Sequence, residues 1–297
     1  MDSETLKKYQ KSGMISATAL RYGSKLIKPG VKLVDVCDAV EGKIRELGGG
    51  LAFPAQVSRN DIAAHYCPEE DDESTFKEGD IIKLDCGAHY EGYVTDNAMT
   101  IDLGDNAKLV KASRDAVETV VDMAKTGTKI SAIGAKIQEI ITANGFEPVR
   151  NLSGHGVGYY IVHASPSMPN FDNANQNTLK EGQIIAIEPF ASNGAGMIHE
   201  SGNPTVFMHV AKRPVRGQFA RQILKDIDGY NGLPFTTRWL SRIHGISKTR
   251  FGLRELMSAG IIRGYPSLPD VKGGLVSQAE HTLIVGEKPI VLTRLEE

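Results

Sequence analysis

Cysteine is scarce in this chain of 297 residues, which has only Cys37, Cys67 and Cys86 and no CxxC pair. Such scattered thiols argue against a disulfide framework and against a zinc–thiolate centre. No apolar run approaches the roughly 18 residues of a membrane span, and the opening MDSETLKKYQKSG lacks the apolar core of a signal peptide. We therefore predict a cytoplasmic protein.

An excess of charge of one sign is also missing. The 34 basic and 36 acidic side chains give a formal net charge of −2, which supplies no general attraction to nucleic acid or membranes. The remaining composition, with 41% hydrophobic and 24% charged residues, is ordinary for a globular protein. A chain of this length can form one large domain or one domain with an insertion.

A degenerate internal repeat is the main organising feature of the sequence. The segments KEGDIIKLD, ending at Asp85, and KEGQIIAIE, ending at Glu188, each predict a tight turn followed by a strand that ends on a carboxylate. Upstream, residues 30–48 and 127–145 align without a gap. Both have apolar side chains at helical spacing and a final glycine suited to a helix C-cap. We therefore predict a duplicated α+β unit.

The two halves differ after the carboxylate strand. In the first, a glycine-containing turn predicts a hairpin that brings Asp85 and Asp96 onto adjacent strands. In the second, the next carboxylate strand, VSQAEHTLIV with Glu280, follows only after three segments that predict helices separated by glycine and proline. The predicted organisation is therefore a catalytic domain over 1–209 and 266–297, with a helical insertion over 210–265.

Carboxylates at the ends of apolar strands predict a centre for two divalent transition metals. Carboxylates can bridge two ions and offset their charge, and an imidazole favours a transition metal over magnesium or calcium. Two such ions can hold a bridging hydroxide as nucleophile and polarise a carbonyl. A single acid of this kind more often caps a strand or forms an ion pair, but the repeat makes four independent accidents improbable. The predicted ligands are Asp85, Asp96, His155 in the loop SGHG, Glu188 and Glu280.

In order along the chain, LDCG, YVTDNAMTIDLG, SGHGVG, AIEPF and QAEHTLIV resemble the pita-bread metallopeptidases, specifically the type II methionine aminopeptidases in their short archaeal form. The resemblance covers nearly the whole chain. It implies an α+β pita-bread fold with a pseudo-twofold repeat and a small, winged-helix-like helical insertion that type I enzymes lack. The implied activity is hydrolysis of the N-terminal methionine from nascent proteins and peptides with a small second residue. The implied cofactors are two divalent ions of cobalt, manganese, iron or zinc.

The same resemblance implies roles for individual side chains. Glu188 would also act as general base or acid on the attacking water. His65 and His163, which follow the two predicted helices at similar distances, would contact the scissile amide and the substrate or tetrahedral intermediate, although a lone histidine is more often structural. The implied methionine pocket consists of Phe53, Val162, His199 and Tyr265, of which Phe53 and Val162 could equally be ordinary core residues.

Two other functions are compatible with these motifs. A proline-specific peptidase would use the same metals, although prolidase-like relatives carry a separate N-terminal domain, whereas Asp85 comes early here. A non-catalytic pita-bread protein that binds RNA or another protein would typically have lost metal ligands.

Charged surface segments and partners complete the predictions. The insertion is locally basic and could face ribosomal RNA, but a solvated helical surface is the commoner explanation. Residues 71–73 are likewise predicted to be a solvated acidic loop. The expected partners are methionyl peptides and nascent chains, with the ribosome as a further candidate, and the protein is expected to be a monomer.

Overall fold

The computed structural model of the chain describes residues 1–295, and the first half of the repeat consists of two helices and four strands. The first helix begins where the Asp2 carboxylate accepts the N–H groups of Glu4 and Thr5, which caps the helix N-terminus. Within the described range, no helix combines the length and the apolar character needed to cross a membrane. The elements are α1 (Ser3–Ser24), α2 (Leu33–Glu46), β1 (Gly50–Leu51), β2 (Gln56–Arg59), β3 (Ile81–Tyr90) and β4 (Tyr93–Asp102).

The hairpin of β3 and β4 carries two of the predicted ligands. Both residues of its turn, 91–92, have positive φ (51° and 88°), as in the two-residue type I′ turn that matches the twist of paired strands. The register pairs Asp85 with Ala98 and Gly87 with Asp96. Since residues opposite each other, or two apart on one strand, share a face, Asp85 and Asp96 project from the same side of the hairpin.

The second half repeats this layout. Helices α2 and α4 are each 14 residues long, and a glycine with positive φ lies just before each of them. The N–H of Gly30 donates to Phe76 O at 2.8 Å, and that of Gly127 donates to Leu179 O at 2.9 Å. This shared geometry confirms the predicted duplication. The elements are α3 (Ala107–Val121), α4 (Ile130–Ala143), β5 (Glu147–Pro148), β6 (Ser153–Gly158), β7 (Ile161–Pro169), β8 (Ile184–Ile187) and β9 (Phe190–Ser192).

Three helices and a three-stranded sheet, ordered β11-β10-β12, follow β9. The three helices were predicted, but the prediction was wrong at the end of the third, because residues 262–267 pair with β10 as a strand. Phe207 on β10 packs in the same core as the helices, and both β10 and β12 lie at the predicted boundaries, so the division at 210–265 stays a proposal. The elements are β10 (Ser201–His209), α5 (Gln218–Asp228), β11 (Phe235–Thr236), α6 (Thr237–His244), α7 (Ile246–Ser258) and β12 (Ile262–Ser267).

The chain then completes the second hairpin that the repeat predicts. Strand β14 pairs with β8, and β13 pairs with β9, both antiparallel. Glu188 lies between β8 and β9 and Glu280 between β13 and β14, so the two carboxylates lie at the same level of this hairpin. The last elements are β13 (Val276–Gln278), β14 (His281–Ile284) and β15 (Ile290–Val291).

Side-chain hydroxyls join the two halves. The Oγ1 of the fully buried Thr282 accepts the N–H of Asp96 at 2.8 Å and donates to Asp96 O at 2.7 Å. Thr100 makes the same kind of link to Gln278, accepting its N–H at 2.8 Å and donating to its carbonyl at 2.7 Å. These contacts satisfy backbone groups where β4 of the first half meets β13 and β14 of the second.

The acidic segment 71–73 is a loop in which Asp71 and Glu73 are exposed, as predicted. Its side chains also make contacts: Asp71 forms an ion pair with Arg250 at 3.3 Å, Asp72 accepts the Tyr66 hydroxyl at 2.7 Å, and Glu73 pairs with Lys32 at 2.7 Å. The two basic partners are distant in the sequence, so these ion pairs could not be inferred locally.

Replacing Thr282 by valine should destabilise the junction of the two halves. The shape of the side chain is nearly kept, but the buried N–H and C=O of Asp96 lose their partner, at an expected cost of about 2–3 kcal/mol. Urea unfolding of the chelated protein measures the change. Thr119→Val, which removes an exposed helix hydroxyl, is the control and should change stability by less than about 0.5 kcal/mol. A Thr282 variant as stable as this control would contradict the assigned link.

Candidate metal centre and substrate cavity

All five predicted ligands line one cavity of about 250 Å³. Asp85 and Asp96 reach it from the first hairpin, Glu188 and Glu280 from the second, and His155 from β6. The apolar residues that precede the acids are buried in three separate cores beneath the hairpins. Glu188 and Glu280 follow strand ends as predicted, but the prediction was wrong for Asp85 and Asp96, which lie inside the ten-residue strands β3 and β4. Burial of the apolar neighbours fixes these strands, and the alternation of side chains along them turns the two acids toward the cavity.

Glycines on both sides of His155 allow β6 to pack closely against its neighbours. A Cβ at Gly154 would lie 2.3 Å from Ala186 O, and one at Gly156 would lie 2.4 Å from Ser165 O. Any larger residue would push β6 away from β8 and β7. The predicted loop is therefore a strand, and its glycines allow β6 to hold the imidazole in place.

The ligand atoms converge on a small volume. His155 Nε2 lies 3.7 Å from Asp96 Oδ2 and 3.7 Å from Glu188 Oε1, and one ligand atom each of Asp96, His155 and Glu280 lie within 4.8 Å of one another. Among the described residues, Asp85 Oδ1, Asp96 Oδ1 and Glu280 Oε1 are buried without a hydrogen-bond partner. Buried oxygens of this kind are costly unless a cation coordinates them, so the donor set fits divalent metal ions.

The carboxylates resist ionisation in the absence of cations. Burial raises the pKa of Asp85 to about 7. Burial also raises the pKa values of Asp96, Glu188 and Glu280 well above their usual range, and the negative charge of neighbouring acids adds to the shift. All four therefore cannot carry full charge at neutral pH unless positive charge is supplied, and two divalent ions would balance four carboxylates.

His155 is in the form that a metal ligand requires. Burial, with the nearby His163 contributing, lowers its pKa to about 3, so the imidazole is neutral at pH 7. Its Nδ1 lies 3.2 Å from Gly156 O; since a carbonyl only accepts, Nδ1 carries the proton. The lone pair is then on Nε2, the atom that faces Asp96 and Glu188, which is the usual arrangement for a ligating histidine.

His65 and His163, the two histidines predicted to contact the scissile amide or the intermediate, also line the cavity. The ring of His163 lies edge-on to that of His155, with 4.5 Å between centroids, and burial lowers its pKa. Burial, with a contribution from His163, lowers the pKa of His65 to about 4. His65 Nδ1 lies 3.2 Å from Pro266 O, which leaves Nε2 free to accept a hydrogen bond.

The backbone of His65 is strained. Its φ is 69°, an uncommon value for a residue with a side chain, and its N–H is held by Gln56 Oε1 at 2.8 Å. A strained backbone conformation persists only where surrounding contacts hold it in place, and such conformations are concentrated at functional sites.

Three of the four predicted pocket residues line the cavity, and the fourth does not. Phe53 and Val162 are buried, and the ring of Tyr265 meets that of His65 edge-on at 5.9 Å. His199 is exposed and lies outside the lining, because its backbone N–H is bonded to Pro269 O at 3.1 Å in a surface segment. Its role in the pocket stays a prediction.

Several residues of the site were missed by the sequence reasoning, and the first of them, Gln278, contacts a predicted ligand without itself lining the cavity. Gln278 is buried and donates from Nε2 to Glu188 Oε2 at 3.3 Å, so it orients a predicted ligand; a polar residue inside an apolar strand, two positions before Glu280, was the available signal. The apolar residues that were missed lie in segments whose sequence pattern gives no indication that they line a cavity. The further lining residues are Gln56, Ala64, Asn151, Leu152, Ser153, Phe190, Val206 and Pro234.

Known proteins share both the sequence and the fold. Residues 7–217 match metallopeptidase family M24. The chain belongs to this family. A methionine aminopeptidase from Archaeoglobus fulgidus is 45% identical over 294 residues, which is 99% of each chain. This M24 protein therefore matches a methionine aminopeptidase over its full length.

Solved structures extend the comparison. A methionine aminopeptidase from Thermotoga maritima superimposes with a TM-score of 0.72 at 26% identity, covering 99% of this chain and 98% of that one. A thermophilic Arx1 superimposes with a TM-score of 0.88 at 18% identity, covering 98% and 91%, and at that identity it shows the fold alone. The M24 protein has the predicted pita-bread fold, and as a metallopeptidase of this family it uses divalent metal ions.

The metal-free protein should lose stability as the pH rises. A carboxyl whose pKa is raised by folding, such as Asp85 at about 7, stabilises the fold most when it is protonated. That contribution is lost between the unfolded value near pH 4 and the folded value near pH 7. Urea unfolding in chelator should therefore show stability falling by a few kcal/mol across this range, on the scale of linkage for one such group.

Two comparisons make this measurement specific. Asp85→Asn should flatten the pH dependence, whereas Asn at the exposed Asp105 should leave it unchanged. Adding Mn²⁺ or Co²⁺ to the native sequence should restore stability at pH 7. A chelated protein with constant stability from pH 4 to 7 would show that the acids are not desolvated.

Proposed function

We propose that the chain removes the N-terminal methionine from peptides and nascent proteins whose second residue is small, with two divalent ions held by Asp85, Asp96, His155, Glu188 and Glu280. The observation that carries this proposal is the group of buried, unpartnered carboxylate oxygens beside a neutral imidazole in one cavity. The full-length similarity to a methionine aminopeptidase supports the same activity.

The five side chains supply a donor set of carboxylate oxygen and one imidazole nitrogen, which suits cobalt, manganese, iron or zinc. Bound there, such ions polarise a carbonyl and lower the pKa of water towards neutrality. Gln278 holds Glu188 by one carboxylate oxygen, while the other faces His155. This orients the acid that we assign to proton transfer.

The protein's own groups account for the remaining steps of amide hydrolysis. Glu188, whose pKa burial raises, takes a proton from the attacking water and returns it to the departing amine nitrogen. His163 is a neutral imidazole that can donate one N–H to the oxygen that becomes negative in the tetrahedral intermediate. His65, with Nδ1 bonded to Pro266 O, can accept the N–H of the scissile amide at Nε2.

The shape of the cavity supports methionine as the first residue. The apolar part of the lining consists of Phe53, Val162 and Tyr265 together with Val206 and Pro234. A flexible, unbranched thioether fits an apolar space of limited volume. A large second side chain would meet the histidines and the carboxylates, which is why we expect a small residue there.

We further propose that the protein works in the cytoplasm as a monomer, on methionyl peptides and nascent chains. A contact with the ribosome would place it near emerging N-termini. Three of the basic residues of the insertion form intramolecular ion pairs: Arg238, Arg242 and Arg250 each pair with an acid of the catalytic part. The remaining exposed cations of the insertion would have to supply any contact with RNA.

A peptide panel tests the substrate assignment. Met-Ala-Ser should release methionine, Met-Trp-Ser should react at least about tenfold more slowly because its second residue clashes, and chelator should stop the reaction until Co²⁺ or Mn²⁺ is added. Faster cleavage of Xaa-Pro peptides would refute the methionine assignment in favour of a proline-specific peptidase. Metal-free, inactive protein that binds RNA would favour a non-catalytic role.

Changing Glu188 tests the proton-transfer role. Glu188→Gln should lower kcat for Met-Ala-Ser by roughly 10²–10⁴-fold, the usual contribution of a general acid–base group. Metal content, measured on the same samples, separates this role from ligation: a variant that keeps two ions and loses turnover supports proton transfer. Glu181→Gln, at a glutamate bonded to Thr126 on the surface, should keep full activity. Full activity of the Glu188 variant would refute the mechanism.

A further inference from the structure

A buried ion pair joins the helical insertion to the catalytic part. Arg238 on α6 is fully buried, and Glu41 on α2 is 2% exposed. Arg238 Nη2 donates to Glu41 Oε1 at 2.6 Å, and Nη1 donates to Oε2 at 3.3 Å. Nη1 also donates to the half-buried Asp38, which keeps Arg242 as a second partner when Arg238 is replaced. Trp239 Nε1, also on α6, donates to Glu41 Oε2 at 2.8 Å. Both oxygens of Glu41 are therefore held by the insertion.

Glu41 has one more partner, and it leads to the substrate cavity. The N–H of Ala55, which is 1% exposed, donates to Glu41 Oε1 at 3.2 Å. Ala55 lies two positions after Phe53, whose ring packs against Gly87: a Cβ at Gly87 would lie 2.3 Å from that ring. Gly87 pairs with Asp96 in the hairpin. The Phe53 wall of the cavity is thus held from one side by the ligand strand and from the other by Glu41.

Arg238 is also close in sequence to a second part of the cavity lining. Pro234, which lines the cavity, comes just before β11 and four positions before Arg238. The intervening Thr236 is fully buried and caps α6 by accepting the Arg238 N–H. Its Oγ1 also lies 3.4 Å from Cys67 Sγ in the catalytic part. The Pro234 wall is therefore tied to the same joint.

We propose that Glu41 is a positioning residue for the side-chain pocket: paired with Arg238, it fixes the Phe53 wall against the Pro234 wall and so sets which N-terminal side chains fit. This inference rests on the proposed peptidase function. Neither charged group touches the cavity, so the effect passes through Ala55 and the short segment leading to Pro234. The insertion thereby takes part in specificity, in addition to covering the catalytic part.

A purely structural role makes a different prediction. Buried ion pairs often add little stability, and well-packed apolar replacements of both partners can be neutral, whereas removing one partner leaves a buried charge uncompensated. If the pair served only docking, an apolar replacement of both residues would leave selectivity unchanged. If it positions the pocket, the same replacement removes the acceptor for the Ala55 N–H and changes selectivity while the protein stays folded.

The test compares the native chain with the double variant Glu41→Met/Arg238→Met. Values of kcat and KM are measured for peptides that begin with Met, Leu or Phe, together with metal content and the melting temperature. We expect KM for Met-Ala-Ser to rise about tenfold with kcat changed by less than about threefold, because alignment of the walls affects binding more than chemistry. The preference for Met over Leu should fall, with two ions still bound.

Two further variants keep the result interpretable. Glu41→Gln/Arg238→Met retains a carbonyl acceptor for Ala55 and should restore most of the preference for Met. Arg250→Gln removes an exposed ion pair of the same interface, with Glu69 and Asp71, and should leave selectivity unchanged.

The outcomes separate the inference from the function on which it rests. Selectivity of the Met/Met variant equal to that of the native chain overturns the inference. So does equal loss of selectivity in the Met/Met and Gln/Met variants, if both remain folded. Should the Met/Met variant not fold, Glu41→Leu/Arg238→Gln takes its place, since it also removes the acceptor for the Ala55 N–H; a native preference for Met over Leu in that variant, or loss of the preference in Arg250→Gln, then overturns the inference. A native chain that binds metal but cleaves no methionyl peptide refutes the proposed function itself.

Discussion

Four carboxylates that converge in a buried cavity impose the constraint on which the rest of the structure depends. Asp85, Asp96, Glu188 and Glu280 come from two hairpins that belong to different halves of the molecule. Burial and mutual repulsion raise their pKa values, so full ionisation at neutral pH requires added positive charge. The two halves of the fold therefore meet at a cluster of acids whose negative charge divalent metal ions would balance.

The duplication explains part of this arrangement and leaves part of it unexplained. Asp85 and Glu188 occupy equivalent positions in the two repeats, although β3 continues beyond Asp85 to Tyr90 whereas β8 ends just before Glu188. Asp96 and Glu280 are not equivalent, because Asp96 faces Gly87 in the first hairpin whereas Glu280 lies at the level of Glu188 in the second. The repeat therefore relates Asp85 to Glu188 but does not relate Asp96 to Glu280. A pseudo-twofold axis describes the centre only approximately.

The sequence was informative wherever local pattern determines geometry. Helices α2 and α4, the turn at 91–92 and the strands leading to Asp85 and Glu188 were predicted, because apolar spacing and glycine placement are local signals. The predicted strand end at Asp85 was wrong, since β3 continues to Tyr90. Strand β12 was predicted as helix, since its apolar residues suit either structure and only pairing with β10 decides. Tertiary context overrides propensity in such segments.

Contacts between residues far apart in the chain could not be predicted from the sequence, for a different reason. The burial of Arg238 depends on Glu41, nearly two hundred positions earlier, and a basic residue on a predicted surface helix carries no sign of such a partner. In the same way, Gln56 and Pro234 reach the cavity only because distant strands and the insertion place them there. Residues whose chemistry could be recognised from type and spacing were found, whereas residues that act by shape or position were not.

The contrast between the buried carboxylate of Glu41 and those of the candidate metal centre explains why only the latter site is suited to metal. Glu41 receives four hydrogen bonds, two from Arg238 and one each from Trp239 and the Ala55 N–H. Its charge is compensated within the chain, and its oxygens have no capacity left for a cation. Glu280, by contrast, keeps a buried oxygen without a partner. Hydrogen-bond donors of the protein saturate the oxygens of Glu41 but leave oxygens of the hairpin carboxylates unpaired. Electrostatics therefore favours binding of divalent ions at the two hairpins and not at the contact between α2 and α6.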